Sequence, residues 1–165
     1  MNEYYISLGS NLGDRAAALR SAVRAMKAEG AAVLARSPLY ETQPWGNINQ
    51  GPFLNAVVRA AWEGSPEALL ERLLAIETAH GRERIVHWGP RTLDLDLIYG
   101  EGVVRDSAFL RLPHPFFWER AFVLVPMADI APGFRYRGET IEARIEALHG
   151  RDAVRRMADD WEAKP

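Results

Sequence analysis

A chain of 165 residues, 48% of them hydrophobic, holds enough apolar material for one core and shows no second. Twenty Lys and Arg against 22 Asp and Glu give a net charge of -2, so no bulk basic field recruits nucleic acid or an anionic membrane, and any anion site must be local. The absence of Cys excludes disulfides, thiolate zinc sites and Cys nucleophiles, and suits a reducing cytoplasm.

The N-terminal residues carry no basic leader, and no later run reaches about 20 apolar residues. A soluble, cytoplasmic protein of a single domain, residues 1–165, is expected. Tyr4 to Leu8 predicts a strand ending in the turn-rich stretch Gly9-Ser10-Asn11-Leu12-Gly13-Asp14. A helix follows from about Asp14, with Leu19, Val23 and Met26 at helical spacing and Gly30 as its stop. Ala32 to Arg36 and Leu39 to Thr42 read as strand, broken at Ser37-Pro38 because Pro cannot donate in a ladder.

Residues 43–52, rich in Pro, Gly and Asn around an isolated Trp45, predict a loop. Phe53 to Trp62 returns to strand, with Leu54, Ala56, Val58, Ala60 and Trp62 toward a core and Phe53, Asn55, Val57 and Arg59 on the other face. Ser65-Pro66-Glu67 starts a second helix, striped by Leu69, Leu70, Leu73, Leu74 and Ile76. A basic loop from His80 to Trp88 then leads to Thr92–Tyr99, where aliphatic and polar residues alternate over the first six positions. Period two puts Asp94 and Asp96 on one face and Leu93, Leu95, Leu97 and Tyr99 on the other. Val103-Val104 and Phe109 to Leu112 suggest a hairpin-like return, and Phe122 to Ile130 a short buried apolar segment. Thr140 to Leu148 predicts a helix, and Val154, Met157 and Trp161 a last one. This order of elements points to an α+β layer: helices on one face of a mostly antiparallel sheet, the other face free for a ligand.

The chemistry narrows by exclusion. Neither a Walker loop, a dinucleotide fingerprint nor a hydrolase elbow occurs, and the four His lack zinc-site spacing. Alternation alone also fits a strand with a wet, acidic face. Two carboxylates about 6.6 Å apart along a strand, with Arg82, Arg84 and Arg91 nearby in sequence, suit a hard cation that completes its shell with substrate phosphates. That combination reads as phosphoryl-type transfer.

Several segments together resemble the 6-hydroxymethyl-7,8-dihydropterin pyrophosphokinases of folate biosynthesis. They are Gly9-Ser10-Asn11-Leu12, Tyr40-x-Thr42-x-Pro44, Phe53-Leu54-Asn55, Gly81-Arg82, the run WGPRTLDLD from Trp88 to Asp96, Leu112-Pro113-His114, and Glu119-Arg120-x-Phe122-Val123-Leu124-x-Pro126. Their order and spacing follow the family from about Tyr4 to Pro132. The resemblance implies a ferredoxin-like α+β fold, with helices on one face of the sheet and the substrate site on the other. It also implies transfer of the β,γ-pyrophosphoryl group of ATP to the hydroxymethyl oxygen of the pterin, releasing AMP.

By the same resemblance, Asp94 and Asp96 hold two Mg2+ ions, and Arg82 and Arg91 stabilise the moving phosphates. Glu77, Arg84, Trp88, His114 and Arg120 fall on the nucleotide side. Phe53 and Phe122 sandwich the pterin, Asn55 binds its edge, and Thr42, Gln43 and Trp45 line it. Pro115 where some members have Tyr, Gln43 where some have Pro, Trp45 for a smaller apolar residue, and a loop about one residue shorter before Trp88 are departures that bear on loop closure and affinity. The expected partners are ATP and the pterin, with no nucleic acid and no membrane, and a monomer. A catalytically silent pterin- or nucleotide-binding module on the same fold is the alternative.

Overall fold

In a computed structural model, which describes residues 1–42, 51–81, 93–157 and 161, the apolar alternations become a six-stranded antiparallel sheet. The elements run β1 (Asn2–Ser10), α1 (Arg15–Ala28), β2 (Ala32–Arg36), β3 (Tyr40–Thr42), β4 (Phe53–Trp62), α2 (Pro66–Ala79), β5 (Asp94–Gly100), β6 (Arg105–Asp106) and β7 (Arg111–Leu112). The chain continues through α3 (Ala121–Ile130), β8 (Arg135–Tyr136), β9 (Glu139–Thr140), α4 (Ile141–Ala147), α5 (Gly150–Ala153) and β10 (Val154–Arg156). The sheet order is β10-β3-β4-β1-β5, with β2 also on β4.

Local chemistry sets the helix starts. The Asp14 carboxylate accepts from Ala17 N at 3.0 Å, and the Ser65 hydroxyl accepts from Ala68 N at 3.1 Å ahead of Pro66. The break at Ser37-Pro38 is a handover between two strands that share one partner. β2 pairs with the second half of β4 and β3 with the first, and the Ser37 hydroxyl accepts from Val57 N at 3.0 Å where the ladder is interrupted.

One face carries the main core. Tyr4, Ile6 and Leu8 of β1, the even-numbered residues of β4, and Leu93, Leu95 and Leu97 pack against Leu19, Val23 and Met26 of α1 and Leu69, Leu73 and Ile76 of α2. Full burial of each Leu, Ile, Val or Met among them stabilises by roughly 1.5–3 kcal/mol. The second face is not wholly free: α3 and α4 cover one end of it with a second cluster that includes Val57, Ile98, Val123, Leu124, Val125, Ile141 and Ile145. Apolar residues on the face expected to be wet, Val57 above all, are the reason. The uncovered end carries Phe53, Asn55, Asp94 and Asp96.

Two further expectations change. Tyr5 pairs with Tyr99 but Ile6 pairs with Leu97, so Ile98 is an extra residue in β5. This bulge reverses the parity beyond it, and Tyr99 leaves the leucine face to join Tyr5, Phe117, Phe134 and Tyr136 in an aromatic cluster. The helix expected from Val154 begins instead as β10, antiparallel to β3, because β3 has a ladder edge to fill. Trp161 is buried in the main core with its Nε1 donating to the Ser37 carbonyl at 2.8 Å. The return after β5 forms as Arg105–Asp106 against Arg111–Leu112, and the helix expected over Thr140 to Leu148 forms as α4, with Thr140 as its N-cap.

Candidate active site

β1 is the ruler of the site. Its register aligns Tyr40, Asn55, Gly9 and Asp94 in one row across β3, β4, β1 and β5, and Val57, Ser7 and Asp96 in the next. Partners in an antiparallel pair share a face, so Asn55, Gly9 and Asp94 look out of the same side of the sheet. Asn55 and Asp94 are separated by two strand spacings, about 10 Å. The parity read from two distant segments of sequence therefore converges on one surface.

On the β3–β4 side, buried Asn55 donates its Nδ2 to the Thr42 hydroxyl at 2.8 Å. Gly9 lies beside them. A Cβ there would stand 3.1 Å from Asn55 Oδ1 and 3.6 Å from Phe53 Cδ1, so the absent side chain is the open floor between the amide, the ring and Asp94. Gly9 was read from sequence as the start of a turn and not as a floor residue; beyond its motif, the signal was its place in a strand of matching parity. Beneath this side, Glu41 is gripped by Arg15 at 2.9 Å and Arg155 at 3.0 Å, while Arg15 also donates to the Pro52 carbonyl at 2.9 Å. Burial pushes the Glu41 carboxyl up, and the two arginines outweigh it and hold it below its ordinary range.

On the β5 side, Asp94 and Asp96 are half-buried, and Arg120 Nη1 stands 4.0 Å from Asp96 Oδ2. Arg120 is the N-cap of α3; its guanidinium lies 5.6 Å from the Phe122 ring centroid and 5.7 Å from that of Phe116. Phe122, on the first turn of α3, is thereby tied to the acidic pair through one cation. Exposed Phe116 was not foreseen. His114 is hung from the bulge in β5, its N–H donating to the Ile98 carbonyl at 2.8 Å. Its Nδ1 accepts from Phe116 N at 3.2 Å, which leaves the ring proton on Nε2. Burial, then the Arg120 charge, depress its pKa to about 4 against the opposing pull of Asp94, so the imidazole is neutral at pH 7.

Glu77, expected on the nucleotide side, reaches the backbone of β5. It is 3% exposed in the last turn of α2, and its Oε2 accepts from Leu95 N at 2.7 Å. Gln43, Trp45, Arg82, Arg84, Trp88 and Arg91 lie outside the described residues. Among the described residues no group of three or more His, Cys, Asp or Glu could by itself cage a metal, and no helix is long and apolar enough to cross a membrane. Two carboxylates on one face do fit a hard cation that takes few protein ligands and fills its shell from phosphate oxygens.

The chain is similar to known proteins over most of its length. A 2-amino-4-hydroxy-6-hydroxymethyldihydropteridine pyrophosphokinase of Methylorubrum extorquens is 48% identical over 149 residues, 90% of this chain and 94% of that protein. One of Bacillus subtilis is 43% identical over 148 residues, 89% of each chain. The fold also matches a solved HPPK-DHPS chain of Plasmodium falciparum with a TM-score of 0.74 at 13% identity; it covers 94% of this chain and 44% of that longer one. The model of one family matches residues 5–132, a span that includes both sides of the site, and the chain belongs to that family, the 7,8-dihydro-6-hydroxymethylpterin-pyrophosphokinases (HPPK).

Proposed function

We propose that this pyrophosphokinase transfers the β,γ-pyrophosphoryl group of ATP to the hydroxymethyl oxygen of 6-hydroxymethyl-7,8-dihydropterin in folate biosynthesis. An O–P bond forms to the β-phosphorus, the bond from that phosphorus to the bridging oxygen of AMP breaks, and the hydroxyl proton is released. The observation that carries this reading is the row Asn55, Gly9, Asp94: a heterocycle-reading amide, an open floor and a carboxylate, with the second carboxylate one row away.

In this reading the pterin lies over Gly9, stacked by Phe53 and Phe122, with Asn55 and Thr42 at its edge. Gln43 and Trp45 are assigned to the same pocket by motif. Asp94 and Asp96 would hold two Mg2+ ions, and magnesium bound there supplies positive charge to the triphosphate and to the oxygens on which charge accumulates. Neutral His114 offers its Nε2–H, and Arg120 its charge, to nucleotide oxygens. Arg82, Arg84, Trp88 and Arg91 are assigned to the nucleotide by motif, with Arg82 and Arg91 on the moving phosphates. With substrates aligned and no covalent protein intermediate required, catalysis is positioning plus electrostatics. The enzyme is read as a monomer, and the lack of Cys suits a cytoplasmic location.

Incubation with ATP, Mg2+ and the hydroxymethyl pterin, followed by separation of the nucleotides, tests this. AMP is the expected product. ADP in its place, or full activity in Asp94→Ala, overturns the assignment.

A further inference from the structure

β5 is the edge strand of the main sheet, with β1 as its ladder partner. Backbone N–H groups alternate in direction along a strand. The Leu95 N–H points away from β1, to Glu77, so those of Asp94 and Asp96 turn inward to the ladder. The peptide that joins Asp94 to Leu95 is thus held from the sheet side by β1 and from the edge by a carboxylate on α2, 18 residues earlier in the chain.

The position is a costly one for a carboxylate. Glu77 is buried, and it sits in the last turn of α2, where the helix dipole disfavours negative charge. Its direction of approach matters too. α2 packs on the leucine face of the sheet, under the Leu95 side chain, whereas Asp94 and Asp96 project from the opposite face. From the leucine face, Glu77 reaches the backbone of the acidic strand between the two carboxylates.

We propose that Glu77 is a positioning residue for the carboxylate pair: its hydrogen bond to Leu95 N sets the rotation of β5 about its axis and so the mutual orientation of Asp94 and Asp96. The proposal rests on the reading of that pair as the metal-holding element. It makes Glu77 a support of the strand that carries the ligands, a role whose loss typically weakens metal binding by about 10- to 100-fold.

Glu77→Asp and Glu77→Gln separate geometry from charge. Asp keeps the charge but is one methylene too short; Gln loses the charge but still presents an acceptor oxygen. Two readouts apply to each: hydrogen exchange at the Leu95 amide in the substrate-free protein, and the Mg2+ concentration that half-activates the reaction. In Glu77→Asp the Leu95 amide is expected to exchange about tenfold faster and the Mg2+ requirement to rise about tenfold or more, with pterin affinity unchanged. In Glu77→Gln both are expected to stay within about fivefold of wild type, the difference between a charged and a neutral acceptor. The reverse pattern, a wild-type-like Glu77→Asp and a Glu77→Gln with a raised KM for ATP, overturns the proposal in favour of a direct charge contact. Full activity in Asp94→Asn overturns the reading of the pair itself, and the Leu95 exchange rate, which needs no substrate, distinguishes the two failures.

Discussion

The Asn55 side chain donates to the Thr42 hydroxyl at 2.8 Å, across the pairing of β4 with β3. With Nδ2 committed to that bond, Oδ1 is the atom left beside the open floor at Gly9. The acceptor is oriented before a ligand arrives, which reduces the ordering cost of binding. Thr42→Val keeps the volume but removes the partner, so the amide is no longer held. The dissociation constant for the hydroxymethyl pterin is expected to rise about tenfold, the value of one hydrogen bond, and by more in Asn55→Ala. Fluorescence titration of both variants checks this; wild-type affinity in Thr42→Val would show that Asn55 needs no support.

Gly9 gives a steric counterpart. Ala on a strand ordinarily stabilises relative to Gly, and the added methyl meets Asn55 Oδ1 at 3.1 Å and Phe53 Cδ1 at 3.6 Å. Gly9→Ala is therefore expected to fold with a Tm within a few degrees of wild type, about 1 kcal/mol, while losing tenfold or more in pterin affinity and little in ATP affinity. Calorimetric titration with each substrate separates the two. Equal losses for both would point to a general distortion instead of a filled floor.

The contrast between Gly9 and Ile98 marks what the sequence could reveal. Strict alternation in Leu93–Leu97, and the polar pair Asn55 and Arg59 at even spacing in Phe53–Trp62, fixed which side chains share a face, because a strand has no other periodicity. It was enough to bring Asn55, Asp94 and Asp96 together. Leu97-Ile98-Tyr99 is three apolar residues in a row, which period two cannot resolve, and the bulge there became visible only through the register with β1. The spacing of Val154, Met157 and Trp161 suited a helix locally, but the unfilled edge of β3 is a tertiary demand that no local pattern encodes. The bond from Leu95 N to Glu77 was invisible for the same reason: it joins a side chain to a backbone N–H 18 residues away.

Trp161 tests the far edge. It packs in the main core, donates to the Ser37 carbonyl at 2.8 Å and lies under the Arg36 guanidinium at 5.4 Å. Trp161→Ala is expected to cost about 3–5 kcal/mol of stability. The acidic pair belongs to β5, at the opposite edge of the sheet, so kcat under folding conditions should change by less than about threefold, roughly 0.6 kcal/mol. Urea denaturation together with steady-state kinetics checks both halves, and a large fall in kcat with unaltered stability would contradict the separation.

His114 gives a pH dependence whose sign follows from its surroundings. Burial and Arg120 lower its pKa from 6.5 to about 4, partly opposed by Asp94. Above pH 6.5 the ring is neutral in both folded and unfolded chains and contributes no slope. Between about pH 6.5 and 4 the unfolded chain takes up a proton that the folded one refuses, so stability falls as the pH falls through that window. Allowing for partial solvent contact, the loss is at most about 2 kcal/mol. His114→Gln removes the group, so its unfolding free energy, measured by urea denaturation without Mg2+ or ATP, should decline less than wild type between pH 7 and 4. Because Nδ1 is occupied by Phe116 N, the charged ring would also meet a donor where it needs an acceptor. Parallel stability curves for the two proteins across that range would mean that the ring is protonated as readily in the fold as out of it.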